Sequence, residues 1–409
     1  MQKNNIHTVI LDEDKCVGCI TCMRRCPTEA IRIVNGKAKI IYDKCINCGE
    51  CIRSCPNRAK RPVYDSFDMI NNYKYKIALP SPSLFGQFNN LENIDYVLTG
   101  LKRIGFDKVF EVAVAAEIVS DATREILKEG NIKKPVISTA CPAIVELILI
   151  RFHNLKENLL PVLSPAAVAA RLAREEAIKE GIKKEDIGVF FISPCPAKVY
   201  ALKSARMSGE CYIDGVLAQN EVYFKLINEM NKIDVPEKLS KSSFSGLGWG
   251  RSGGESDCLK GNYIHCDGVR NVLTVLKEIE DEKLSEVDFV ELNVCPGGCV
   301  GGVFNIENPF VARSKINQLK SKLEVHDNSM ASVGKDLQYF KWKIQPEPLS
   351  VYQLDSNRLV AMQKMMKVEE LLKTLPNTNC GECGAPTCRC YAEDIVLGES
   401  TVLCPKIGK

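Results

Sequence analysis

Residues 16–27 read CVGCITCMRRCP, and residues 45–56 read CINCGECIRSCP. Each run sets three cysteines in one tight loop and a fourth just before a proline. The spacing C-x2-C-x2-C-x3-C-P lets one loop wrap one [4Fe-4S] cubane while its fourth cysteine reaches the neighbouring cluster. Cys16, Cys19, Cys22 and Cys55 are therefore expected to hold one cluster, and Cys45, Cys48, Cys51 and Cys26 the other. Gly18, Asn47 and Gly49 ease the bends that such loops require. The exchange of fourth ligands ties the two halves together and keeps the clusters close enough for electron hopping.

Working outward, residues 1–75 read as a two-cluster ferredoxin-like domain. The whole chain has 409 residues, enough for two or three domains with a proper core in the middle. Its 20 cysteines would signal disulfides in a small secreted protein. Here the length and the ligand spacing favour metal instead, and the setting is expected to be reducing, anaerobic and cytoplasmic. Basic and acidic residues nearly balance, 54 against 51. No basic stripe points to nucleic acid. The start of the chain has no long apolar run, so neither a leader nor a membrane anchor is expected.

Residues 76–325 alternate short apolar runs with helical patterns. Val109–Val114, Val136–Ser138, Val189–Ile192 and Phe289–Leu292 read as strands. Ser164 and Pro165 open a helix that Gly181 stops. This predicts an α/β domain of mostly parallel sheet with helices on both faces. Cys141, Cys195 and Cys295 each follow one of these strands, with Cys299 close behind. Ligands of open α/β folds bind beyond the carboxyl ends of the strands, so these four cysteines can converge on one point. Separate buried thiols are the blander alternative.

Residues 326–355 read as a linker over the surface, and 356–409 as a small four-cysteine iron-sulfur domain. A helix from Arg358 to Leu375 is predicted to pack through Leu359, Met362, Met366, Val368 and Leu371. Cys380, Cys383, Cys388 and Cys404 then suit a further [4Fe-4S] cluster, with zinc as the rival for four thiolates. Cys390 is the spare. The glycine-rich run 244–270 lacks a phosphate-binding pattern and reads as a close-approach loop. Cys258 and Cys266 are expected to stay unligated, and His265 to be a packing residue.

TACPA at 139–143, SPCPAK at 193–198 and LNVCPGGCVGG at 292–302 resemble the three cofactor-binding motifs of the iron-iron hydrogenases. The domain order resembles the monomeric, sensory branches that carry no PAS domain. The resemblance implies that Cys141, Cys195, Cys295 and Cys299 ligate a cubane. Cys299 would also bridge to a diiron centre with CO, CN and azadithiolate ligands, giving four cubanes in all. Lys198 matches the lysine that steadies one cyanide. Ser83 matches a serine contact to the other, with Ser81 as a competing alignment. The implied chemistry is 2 H+ + 2 e− ⇌ H2, with a ferredoxin-like electron partner and a signalling protein. Two other functions compete: a non-catalytic iron-sulfur scaffold or electron carrier, and a redox subunit of a larger oxidoreductase complex.

The departures from the family pattern are informative. Ala140 stands where active members carry a proton-relaying cysteine, and alanine has no exchangeable proton. Ser193 and Asn293 stand where methionines are usual. Glu117 and Glu125 are the candidates for the missing relay glutamates. Slow turnover, suited to sensing, is the resulting expectation. Replacing Ala140 with cysteine should raise hydrogen evolution at least about tenfold, roughly 1.4 kcal/mol of barrier. Equal rates at equal iron content would show that the missing thiol is not the bottleneck.

Overall fold

The computed structural model describes residues 6–205 and 209–407. Residues 1–5, part of the segment on which the leader expectation rests, lie outside them. The N-terminal module pairs β1 (Val9–Leu11) with a later strand and sets a hairpin of β2 (Ile31–Val34) and β3 (Lys37–Ile40) beside it. The partner of β1 is β4 (Lys60–Pro62), antiparallel to it. The two cysteine loops lie between these strands and carry one short helix each, Thr21–Arg25 and Glu50–Arg53.

Among the described residues the central region supplies seven strands: β5 (Tyr75–Pro80), β6 (Lys108–Val109), β7 (Val136–Ile137), β8 (Ile187–Ser193), β9 (Gly215–Ala218), β10 (Tyr263–Asp267) and β11 (Phe289–Asn293). They form two sheets, ordered β6-β5-β8-β9 and β10-β11-β7, and every pairing within them is parallel. Strand alternation divides the first sheet between two cores. Ile77, Leu79, Val189 and Phe191 face helices Val112–Glu129 and Pro165–Lys179. Ala78, Phe190, Ile192 and Leu217 face helices Asp95–Arg103, Gln219–Met230 and Pro309–Lys320. The second sheet packs Ile137, Val290 and Leu292 on helices Pro142–Arg151 and Val269–Glu280.

The architecture is thus the α/β arrangement expected, with an iron-sulfur module at each end of the chain. Ser164 caps its helix by accepting from the Ala167 N–H, an interaction of about 1 kcal/mol. Three local expectations need correction. The run 109–114 is a strand only to Val109, and a helix begins at Val112, because the apolar residues that follow belong to an amphipathic 18-residue helix. The segment 326–355 does not simply cross the surface. Phe340 is fully buried and accepts from the Leu163 N–H, while the Trp342 N–H donates to the Pro161 carbonyl. Helix Arg358–Thr374 leaves Leu359, Met362 and Met366 exposed at 72%, 60% and 64% and buries Val368, since only its last turns meet the C-terminal unit.

That unit docks on β2. The Ile33 N–H donates to the Gly384 carbonyl at 2.8 Å. Arg32 grips Asp394 with two hydrogen bonds of 2.5 and 3.0 Å, both side chains buried. The Cys390 thiol donates to Glu29 at 2.9 Å, which turns it toward the N-terminal module. Removing one partner of a buried ion pair strands the other and costs about 3–5 kcal/mol. Asp394→Ala should therefore release the C-terminal unit from β2. Amide hydrogen exchange over 375–405 should accelerate while 9–62 keeps its protection; unchanged exchange would show that the pair does not hold the dock.

Candidate functional site

The strand ends deliver the candidate residues. Cys141 and Cys195 each occupy the N-cap position of a helix whose first residue is proline, Pro142 and Pro196. A helix N-terminus favours a thiolate there. Cys295 and Cys299 follow β11 in a turn that needs Gly297 and Gly298. A Cβ on Gly298, at φ +88°, would lie 2.4 Å from the Ser252 nitrogen, so only glycine lets the 250–254 loop pass. The glycine-rich run is the close-approach loop expected.

These four cysteines share one electrostatic environment. Burial pushes the Cys195 thiol up to about 12, against the pull of Lys198, with Cys295 and Cys299 adding to the rise. Burial likewise raises Cys295 to about 11, opposed by Arg53 and reinforced by Cys141. Cys299 is raised mainly by burial, against Lys198. Such a group ionises readily only with a cation among it, which suits a cationic iron-sulfur core. For Lys198, burial works against the charge, but the neighbouring Cys299, Cys195, Cys141 and Cys295 outweigh it and hold the ammonium above its ordinary range. Its Nζ donates to the Ala140 carbonyl at 2.9 Å.

Beside the cysteines lies a cavity of about 80 Å³. Of the four, Cys299 reaches its wall, together with Lys198, Ala140, Asn293, Ser81 and Pro82. Ser83 does not line it. That hydroxyl instead accepts from Gln219 and hydrogen-bonds with Ser81, so the Pro80–Ser81 alignment is the one that faces the cavity. Ser193 is also fully buried off the wall, accepting from the Cys195 N–H in a local turn. Trp249 and Trp342 supply apolar wall, Trp342 from the segment read as a linker.

Glu117 and Glu125 are not in this wall. Glu117 is buried as an anchor, accepting from the backbone N–H groups of Ser243 and Gly246. Glu125 pairs with Lys128 on the surface. The carboxyls in the wall are Glu255 and Glu291, which the sequence reading missed. Ser138 donates to Glu255 at 2.5 Å, and the Ala140 N–H donates to that same hydroxyl at 3.2 Å. Glu291 accepts from the N–H groups of Gly253 and Ser256 and from the Asn293 amide. Burial first, and the Glu291 carboxylate second, push Glu255 up to about 8. The one available sequence signal was Glu291, a charged residue inside an apolar strand.

Twelve further cysteines gather in three places. One cavity is lined by Cys16, Cys19, Cys22 and Cys55, and a second by Cys26, Cys45, Cys48 and Cys51. Cys383, Cys388 and Cys404 lie in the C-terminal core, with Cys380 close enough to raise the Cys383 thiol. Among the described residues no three histidine, cysteine, aspartate or glutamate side chains are gathered around a single metal-ion position.

Parallel sheets with four cysteines at their carboxyl ends, flanked by two smaller cysteine units, define an iron-sulfur redox protein. The chain belongs to the family described as iron only hydrogenase large subunit, C-terminal domain, which matches residues 74–261 and 253–303, more than half of its length. A 4Fe-4S dicluster domain matches 8–56, and an Fe-S cluster domain matches 375–405. The periplasmic [Fe] hydrogenase large subunit of Nitratidesulfovibrio vulgaris is 27% identical over 247 residues, 54% of this chain and 58% of that one. Iron hydrogenase 1 of Clostridium pasteurianum is 22% identical over 285 residues, 56% of this chain and 50% of that one. The chain thus spans about half the length of the curated relatives it matches. A solved [FeFe]-hydrogenase structure superposes with a TM-score of 0.50 at 16% identity, covering 68% of this chain and 91% of the other, which shows a shared fold.

The comparison corrects the cytoplasmic expectation. The Nitratidesulfovibrio vulgaris relative is named periplasmic, so cluster cysteines in this family do not assign a compartment. Among the described residues no helix is long and apolar enough to cross a membrane.

The Glu255 carboxyl has a pH signature. Its folded-state pKa, about 8, lies above the ordinary 4.5, so the folded chain keeps a proton that the unfolded chain releases. The resulting stability is full below about pH 4.5 and is lost as pH rises toward 8. Glu255→Gln should remove this slope. At equal iron content, the variant should gain thermal stability relative to the parent on going from pH 5 to pH 8. Parallel pH profiles would show that Glu255 is ionised in the fold.

Proposed function

We propose that this chain is a slow [FeFe]-hydrogenase that interconverts protons and H2 and reports hydrogen or redox state. In this reading residues 1–75 carry two cubanes, 76–325 the catalytic centre, 326–355 a connecting strap, and 356–409 a fourth cubane. Cys141, Cys195, Cys295 and Cys299 would hold the catalytic cubane, and Cys299 would also hold the diiron unit that supplies the hydrogen chemistry. The observation that carries the reading is the wall of this cavity, which Cys299, Lys198, Ser81 and Glu255 line together.

When bound, the diiron group supplies the hydrogen chemistry itself. Lys198 offers a buried positive charge whose position is fixed by the Ala140 carbonyl. Ser81 offers a hydroxyl from the end of β5. Glu255 holds a proton near neutral pH, where general acid–base transfer is most effective. It stands in for the thiol that Ala140 lacks. Val112, Ala116, Val162, Leu163 and Phe191 give the cavity an apolar face. A weaker proton route than a dedicated thiol fits low turnover, and a third iron-sulfur unit docked on β2 fits a reporting role toward a separate signalling protein. The electron partner is a ferredoxin-like protein.

Expression with the cofactor maturation system tests the reading. Infrared bands of metal-bound CO and CN should appear, and Cys299→Ala should abolish them while the N-terminal clusters remain. A maturated chain with no such bands is a scaffold or carrier instead, and its iron content would stop at four cubanes.

A further inference from the structure

The N-terminal module and the catalytic domain meet at the cysteines themselves. Gly49, next to Cys48, sits at φ +77° against the catalytic domain. A Cβ there would lie 3.0 Å from Val303 and 3.4 Å from Pro196, the neighbour of Cys195. Thr8 donates to the Pro196 carbonyl at 3.0 Å, and its own N–H donates to Asn47 at 3.2 Å. The loop that carries Cys45, Cys48 and Cys51 is therefore pressed onto the loop that carries Cys195.

Arg53 lies between Cys51 and Cys55 on that module, yet its guanidinium enters the catalytic domain. It donates to the Gly301 carbonyl at 2.7 Å and to Glu50 at 2.6 Å, and its positive charge lies near enough to Cys295 for each to favour the other's charged form. Two acceptors, one on each domain, are met by one planar fork. Glu50 is buried and also faces Arg25, at 3.6 Å, so its carboxylate is shared between two cations. The charge aimed at Cys295 is thus only partly balanced.

We propose that Arg53 is a positioning residue that joins the second N-terminal cluster to the catalytic cubane and raises the reduction potential of that cubane through Cys295. The inference rests on the assignment of Cys295 as a cubane ligand. Cluster potentials respond to net charge and to hydrogen bonds on the sulfurs. A positive charge beside a ligating sulfur stabilises the reduced, more negative cubane more than the oxidised one. One electron leaves the cluster held by Cys26, Cys45, Cys48 and Cys51 and enters the cubane held by Cys141, Cys195, Cys295 and Cys299. No bond is made or broken and no proton moves. By favouring the acceptor, Arg53 draws the electron inward, and by gripping Gly301 it keeps the two sites in contact.

The full-length chain loaded with its cubanes tests this by poised redox titration read by electron paramagnetic resonance. The catalytic signal is identified by its loss in Cys295→Ala. Arg53→Met removes the charge and every hydrogen bond of the guanidinium. Arg53→Gln removes the charge but keeps a donor for Gly301. At the potential that half-reduces the parent cubane, both should lower its reduced-to-oxidised ratio about tenfold, about 59 mV for one electron. The other cluster signals and the iron content should not change, and Arg53→Lys should restore most of the ratio. An unchanged ratio in a neutral variant that keeps its iron overturns the proposal. Loss of iron from both neutral variants also overturns it, because Arg53 would then serve assembly alone. If Cys295→Ala removes no signal from the parent, the ligand assignment fails instead.

Discussion

The structure depends on the cost of placing four half-buried thiols together. Burial alone drives Cys195 and Cys295 far above the ordinary thiol range, and each neighbour's charge adds to the penalty. Helix N-termini at Cys141 and Cys195, the ammonium of Lys198 and the guanidinium of Arg53 all work in the opposite direction. The fold can be understood as the scaffold that brings these compensating charges to one point. Parallel strands do this naturally, because their carboxyl ends open on a common crevice and their following helices begin there.

Around that point the chain arranges its redox units in order of contact. The second N-terminal cysteine set touches the loop of Cys195, and the C-terminal unit grips the opposite side of the N-terminal module through Arg32 and Asp394. The strap 326–355 joins the ends of this arrangement. It contributes Trp342 to the cavity wall, and Tyr352 then donates to the Thr28 carbonyl on the module. The same stretch therefore touches both the cavity wall and the N-terminal module.

Ala140 offers no titratable group beside Cys141. A carboxyl stands in the cavity wall, tied to the Ala140 N–H through the Ser138 hydroxyl. Its proton is retained by burial and by the Glu291 carboxylate rather than by intrinsic acidity. Glu117, by contrast, is spent on holding the 243–246 loop, so its burial is structural.

Much of this was legible in the sequence. The order of the iron-sulfur units, the parallel α/β class and the cysteines at strand ends all follow from local spacing, because a cluster loop and a strand-turn-helix unit are set by residues a few positions apart. The same locality explains the misreadings. The run 109–114 looked like a strand because an apolar stretch that short carries no period of its own, and the Met-rich face of helix Arg358–Thr374 looked like packing surface because periodicity does not say whether a partner is present. Only the tertiary structure could choose Ser81 over Ser83, place Glu255 and Glu291 in the wall, bring Trp342 to the cavity, or aim Arg53 at Cys295. Each of those contacts joins segments far apart in the chain, and what a side chain meets across such a distance depends on the packing of the whole fold rather than on its neighbours in sequence.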